Sequence, residues 1–142
     1  MSTTLNEQLL NAVFDEDIDL VKQSIQDGAD VNYISTKEDT PLLIAIDTMN
    51  IDLIHLLLAQ GANPNPDPQA VYVLPLNAAV DVAVQAVLND EAETISNEVV
   101  ELLVRYGANH TVKDKSGKNA LELSANYNSA AKRFFEKPDI SS

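Results

Sequence analysis

Apolar residues recur at helical spacing in three stretches that close alike: residues 18–30 read IDLVKQSIQDGAD, 51–63 read IDLIHLLLAQGAN and 97–109 read NEVVELLVRYGAN. Each predicts an amphipathic helix ended by Gly28, Gly61 or Gly107, the residue type that accepts the left-handed backbone of a helix C-terminus. A second apolar set interleaves with the first: LLNAV from Leu9, LLIAI from Leu42, LNAAV from Leu76 and LELSA from Leu121. The leading leucines stand 33, 34 and 45 residues apart. Two helices per unit and a recurring period of this size predict a repeat protein. From leading leucine to closing glycine is 19 residues in the first two units and 31 in the third, so the third holds about 12 extra residues between its helices.

The helix ends carry their own signals. Thr4-x-x-Glu7 predicts a capping box for the first helix. Thr40-Pro41 sets a capping hydroxyl before a proline at the first helical position, where the ring displaces no hydrogen bond. Asn50 predicts a cap for the next helix, whose Leu53, Leu56 and Leu57 are expected on one side. Ala12, Ala45, Ala79 and Ser124 recur within the leading helices, where a small side chain lets neighbours approach. In the third unit residues 81–88 extend the helical pattern by about two turns, and Asn89-Asp90 is a stop signal. Thr94 or Ser96 is then the cap of the returning helix. The expectation is a lengthened helix pair, protruding beyond the neighbouring units, with Asp90, Glu91 and Glu93 at its end.

These residues resemble a known family. Thr40-Pro41-Leu42 with Ala45 is similar to the T-P-L-x-x-A pattern of ankyrin repeats. Gly28-Ala29-Asp30-Val31-Asn32 resembles the ending of such a repeat, and Asp114–Leu121 resembles its D-x-x-G-x-T-P-L turn. The resemblance covers residues 5–137. It implies an all-α ankyrin-repeat solenoid of four helix–turn–helix repeats with short hairpin loops, the third carrying the insertion between its helices. One domain is expected over 1–142, with repeats near 5–32, 33–65, 66–111 and 112–137. Departures from the pattern are Leu74, which replaces the capping threonine, and Glu38 and Tyr72, which stand where a turn glycine is usual. Two less regular loops are therefore expected. Repeat one and the polar last helix, Ser129–Lys137 with Lys132 and Arg133, are expected to cap the two ends of the stack.

Composition narrows the function. With 45% hydrophobic and 22% charged residues, the 142-residue chain has the means to build a core. It has no cysteine, which excludes disulfides, thiolate metal sites and a cysteine nucleophile. The opening MSTTLNEQLL has no basic segment followed by an apolar run, so no signal peptide is expected. No stretch approaches the roughly 18 apolar residues of a membrane helix. A cytoplasmic protein is the expectation. The net charge of −13 is uneven: −5 over 1–37, −11 over 38–104, where no Lys or Arg occurs, and +3 over 105–142. A field of that sign repels nucleic acid and anionic membrane and favours a basic partner.

Nothing in the chain reads as catalytic machinery. His55 and His110 are far apart in the repeat pattern and lack ligand or base partners at a recognisable spacing. Asp15-Glu16-Asp17 and Asp90-Glu91-x-Glu93 lack the spacing of a calcium loop. There is no glycine-rich phosphate loop and no nucleophile turn. No catalytic residue, metal or cofactor is expected. The resemblance implies that hairpin tips and the exposed side of each first helix line a concave binding face. On this chain that face selects Phe14, Tyr33, Asp39, Asp47, Val71, Tyr72, Val73, Asp81 and Tyr127; aromatic anchors beside acids suit a binding hot spot. The expected function is non-catalytic protein binding, in its sharper form an acidic inhibitor or immunity protein that masks a basic partner surface. A general adaptor or scaffold is the alternative within that class. A small-ligand protein or enzyme with a site near the insertion is the alternative outside it.

Overall fold

The computed structural model describes residues 4–71, 73–88, 98–115 and 117–120. Six helices occur among them: α1 (Leu5–Phe14), α2 (Ile18–Gln26), α3 (Pro41–Thr48), α4 (Ile51–Ala59), α5 (Pro75–Leu88) and α6 (Glu98–Arg105). No strand is present among the described residues. The chain is thus an all-helical solenoid of stacked helix pairs. In each pair the second helix folds back on the first, α1 on α2, α3 on α4 and α5 on α6. The first helices also pack in a row, α1 on α3 and α3 on α5, while α4 meets α6.

The predicted caps are in place. Thr4 Oγ1 accepts the Glu7 N–H at 3.1 Å and the Glu7 carboxylate accepts the Thr4 N–H at 3.2 Å, the reciprocal pair of a capping box. Thr40 Oγ1 accepts the Leu43 N–H, and Pro41 opens α3. Asn50 Oδ1 accepts the Leu53 N–H. Asp17, 33 residues earlier, caps α2 in the same way through Leu20. Gly28, Gly61 and Gly107 follow α2, α4 and α6 at φ of 108°, 99° and 99°, a conformation in which any Cβ is strained.

The core lies where each first helix meets its partner and its neighbours. Leu9, Leu42, Leu43, Ile46, Leu53, Ile54, Leu57, Val80 and Leu103 are fully buried or nearly so. Ala12, Ala45 and Ala79 lie buried at equivalent positions of α1, α3 and α5, as their size predicts for helices in close contact. The buried stripe of α4 differs from the expected one. Leu53, Ile54, Leu57 and Leu58 fill it, spaced i, i+1, i+4, i+5, and Leu56 is rotated to the edge of the core. There it lines a cleft of about 270 Å³ with Lys22, Ile25, Gln26 and Gln60.

The Glu38 hairpin is also more regular than expected. The Ser35 N–H donates to the Asp39 carbonyl and the Glu38 N–H to the Ser35 carbonyl, both at 2.9 Å. Asp114, Gly117 and Lys118 make the same two bonds. Glu38 matches Gly117 and takes its left-handed conformation at φ 66°, against 88° for the glycine. Between these hairpins, the segment before α5 turns earlier, with the Ala70 N–H donating to the Asp67 carbonyl. Tyr72 lies outside the described residues.

Helix α5 runs for 14 residues, against eight for α3. The expected return over 89–97, with its caps and acidic tip, lies outside the described residues, as do the helices expected for repeat four.

Candidate functional site

The helix stack leaves one side of α1 and α3 uncovered by α2 and α4, and the hairpin before α3 rises beside it. The space between them is a groove of about 730 Å³. Its α1 wall is Glu7, Leu10, Asn11 and Phe14, its hairpin wall Tyr33, Ser35, Thr36, Lys37 and Asp39, and its α3 wall Ile44, Asp47 and Thr48. A smaller cleft of about 210 Å³ adjoins it and shares Asp47. That cleft is lined by Val73, Asn77, Ala78, Asp81, Val82 and Asp114, so α5 and the last hairpin carry the same face onward.

Local structure fixes these side chains. Phe14 is the last residue of α1 and is 70% exposed, the most exposed of the large apolar residues described. Tyr33 and Asp39 sit at the two ends of the Ser35 hairpin, where Ser35 Oγ accepts the N–H groups of Lys37 and Asp39. Asp47 lies on the exposed side of α3, one residue beyond the buried Ile46. Asn77 is almost wholly buried in α5 and donates to Asp114 Oδ2 and to the Lys118 carbonyl, both at 3.0 Å. It ties the last hairpin to the helix that carries Asp81. Across the face, Lys115 Nζ reaches Glu38 Oε1 at 2.8 Å and joins the first hairpin to the last.

Of the nine residues expected on this face, Phe14, Tyr33, Asp39 and Asp47 line the groove, and Val73 and Asp81 line the adjoining cleft. Val71 is fully buried and belongs to the core, because the earlier turn at Asp67–Ala70 drops it beneath the hairpin row. It presents no surface to a partner. Tyr72 and Tyr127 lie outside the described residues. Sequence reasoning missed the adjoining role of Asn77 and Asp114, although Asn77, a polar residue inside the apolar LNAAV run, was the available signal.

His55 lies on the exposed side of α4, its ring edge-on to Tyr106 with centroids 6.0 Å apart. No group of three or more metal-ligating side chains occurs among the described residues. No helix among them is long and apolar enough to cross a membrane.

The stacking also has a device that repeats with the helices. Asn32 Oδ1 accepts the Asn63 N–H at 2.7 Å and Asn32 Nδ2 donates to the Gly61 carbonyl at 3.1 Å. Asn65 makes the same two bonds to Asn109 and Gly107. Asn6 accepts the Asp30 N–H at the start of the series.

Comparison with known proteins agrees with this architecture. The family described as Ankyrin repeat matches residues 37–67, the span from the first hairpin through α4. Two ankyrin-repeat proteins of fowlpox virus are 31% and 32% identical over 82% and 88% of the chain. The human 2-5A-dependent ribonuclease is 42% identical over 60 residues. The chain spans only 18%, 34% and 8% of these relatives respectively, so the ribonuclease likeness is confined to a short run of repeats. The family match over 37–67 and the similarity of most of the chain to ankyrin-repeat proteins agree with its stacked helix pairs, and the chain belongs to the ankyrin-repeat family.

Proposed function

We propose that this chain is a non-catalytic binding module whose acidic groove takes a basic surface of a partner protein. Ankyrin repeats are protein–protein interaction modules, and that is the coarse function of the family. The observation that carries the finer reading is the composition of one face. Phe14 and Tyr33 stand among Glu7, Asp39 and Asp47 in the groove, and Asp81 and Asp114 continue the acid into the next cleft. The exposed Phe14 gives a partner apolar area to bury beside the half-buried Tyr33, and the carboxylates select its sign and speed its approach.

In the sharper form of this reading the module neutralises what it binds, as a cytoplasmic inhibitor or immunity protein. Its support is the net charge of −13 and the run over 38–104 without a base. An adaptor that holds the same basic surface without silencing it differs only in consequence. The test uses the full chain as bait, beside an Asp39→Asn, Asp47→Asn, Asp81→Asn variant of unchanged unfolding midpoint. A basic protein retained by the wild type and lost from the variant supports the groove. Equal retention by both baits overturns it. Loss of the partner's activity on binding separates inhibitor from adaptor.

A further inference from the structure

We infer that the groove between α1, α3 and the first hairpin receives an arginine side chain of the partner, an inference that rests on the basic-partner reading above and adds the side-chain chemistry. Phe14 ends α1 and is 70% exposed, so a large apolar side chain remains in water in the unbound chain. Tyr33 lines the same groove from the hairpin. Glu7, Asp39 and Asp47 line it from α1, the hairpin and α3, Glu7 with one carboxylate oxygen already held by Thr4. A cation entering there meets acid from three elements of the fold. Among the described lining residues Lys37 is the only base.

The combination of ring and carboxylate chooses between cations. An ammonium is a strongly hydrated point charge and gains little from a ring face while it keeps its water. A guanidinium is planar and weakly hydrated, stacks on an aromatic face and offers a fork of donors to a carboxylate. An anion is repelled by this wall. An apolar helix laid into the groove buries carboxylates without partners, which is costly. The fold already supplies one example of a matched cation beside the groove, since Lys115 pairs with Glu38, the neighbour of Asp39.

The test titrates acetylated, amidated tetra-arginine and tetra-lysine peptides into the isotopically labelled full chain at low salt and follows amide shifts. Tetra-arginine is expected to move the amides of 33–39 and 44–48 and to bind about two- to fivefold more tightly than tetra-lysine, the worth of one stacked cation at an exposed ring. Phe14→Leu keeps an apolar side chain and is expected to abolish that advantage, whereas Phe14→Trp keeps it. Phe14 is exposed, so neither change disturbs the core. Equal affinities at the same amides overturn the arginine assignment and leave the basic-partner reading standing. Shifts confined to other acidic segments overturn the assignment to this groove. No shift with either peptide overturns both.

Discussion

Asn32 holds the following repeat by both ends of its amide, accepting the Asn63 N–H at 2.7 Å and donating to the Gly61 carbonyl at 3.1 Å. One side chain thereby fixes the backbone just past α4 to the backbone just past α2. Asn32→Ala removes both bonds. Because the site is exposed and water replaces part of the loss, the expected cost is about 0.5–1.5 kcal/mol, read as a lower urea midpoint at unchanged slope. Asn65→Ala is expected to match it, since its two bonds have the same form. Unchanged midpoints in both variants contradict a clamp that contributes to stacking.

The stripe of α4 yields a second prediction. Leu57 is fully buried, and Leu57→Ala should cost about 2–5 kcal/mol through the cavity it leaves. Leu56 sits at the core edge, and Leu56→Ala should cost clearly less. Equal losses in denaturant unfolding contradict the register described.

A third concerns the bridge between hairpins. Glu38 and Lys115 are 44% and 33% exposed, so solvent screens much of their attraction. A double-mutant cycle with Glu38→Gln and Lys115→Gln should give a coupling of about 0.2–1 kcal/mol that fades in high salt. Zero coupling at low salt shows that the two hairpins are not joined in solution.

Asn77 supports a fourth. Asn77→Ala withdraws a buried donor from Asp114 and from the Lys118 carbonyl, at an expected cost of about 1–3 kcal/mol. Amide exchange of Gly117 and Lys118 should accelerate beyond the global change, because this side chain holds their hairpin. Uniform acceleration across the chain contradicts that local role.

Much of this architecture is legible in the sequence because its signals are local. Thr4, Thr40 and Asn50 each act on a backbone N–H three residues away, and Gly28, Gly61 and Gly107 declare their conformation by type. Glu16 and Met49 show the opposite case. They stand 33 residues apart at equivalent positions between paired helices, both left-handed at φ 57° and 59°, and neither residue type announces it. The helix ending imposes it in both, since the Asp17 and Asn50 N–H groups turn back to the Ala12 and Ala45 carbonyls, and Asn50 Nδ2 donates to Glu16 Oε1 across the two turns. The groove was legible as far as α1, the first hairpin and α3, where spacing keeps to the period. Val71 was misplaced because the turn before α5 comes earlier than the expected one at Tyr72: Asp67 makes it, its Oδ1 accepting the Gln69 N–H as Ser35 Oγ accepts that of Lys37. The asparagine clamp went unread because its bonds join residues 29 to 44 positions apart.

The central claim is that the acidic groove and its adjoining cleft, through Asp39, Asp47 and Asp81, recognise a basic partner. Its most direct measurement is the dissociation constant of the captured complex between about 50 and 300 mM salt, a range over which the screening length falls from about 14 Å to about 6 Å. For the wild type the affinity should fall steeply with salt, mainly through a slower association rate. For Asp39→Asn, Asp47→Asn, Asp81→Asn it should start weaker and fall much less. An affinity independent of salt, or the same slope in both proteins, contradicts the claim.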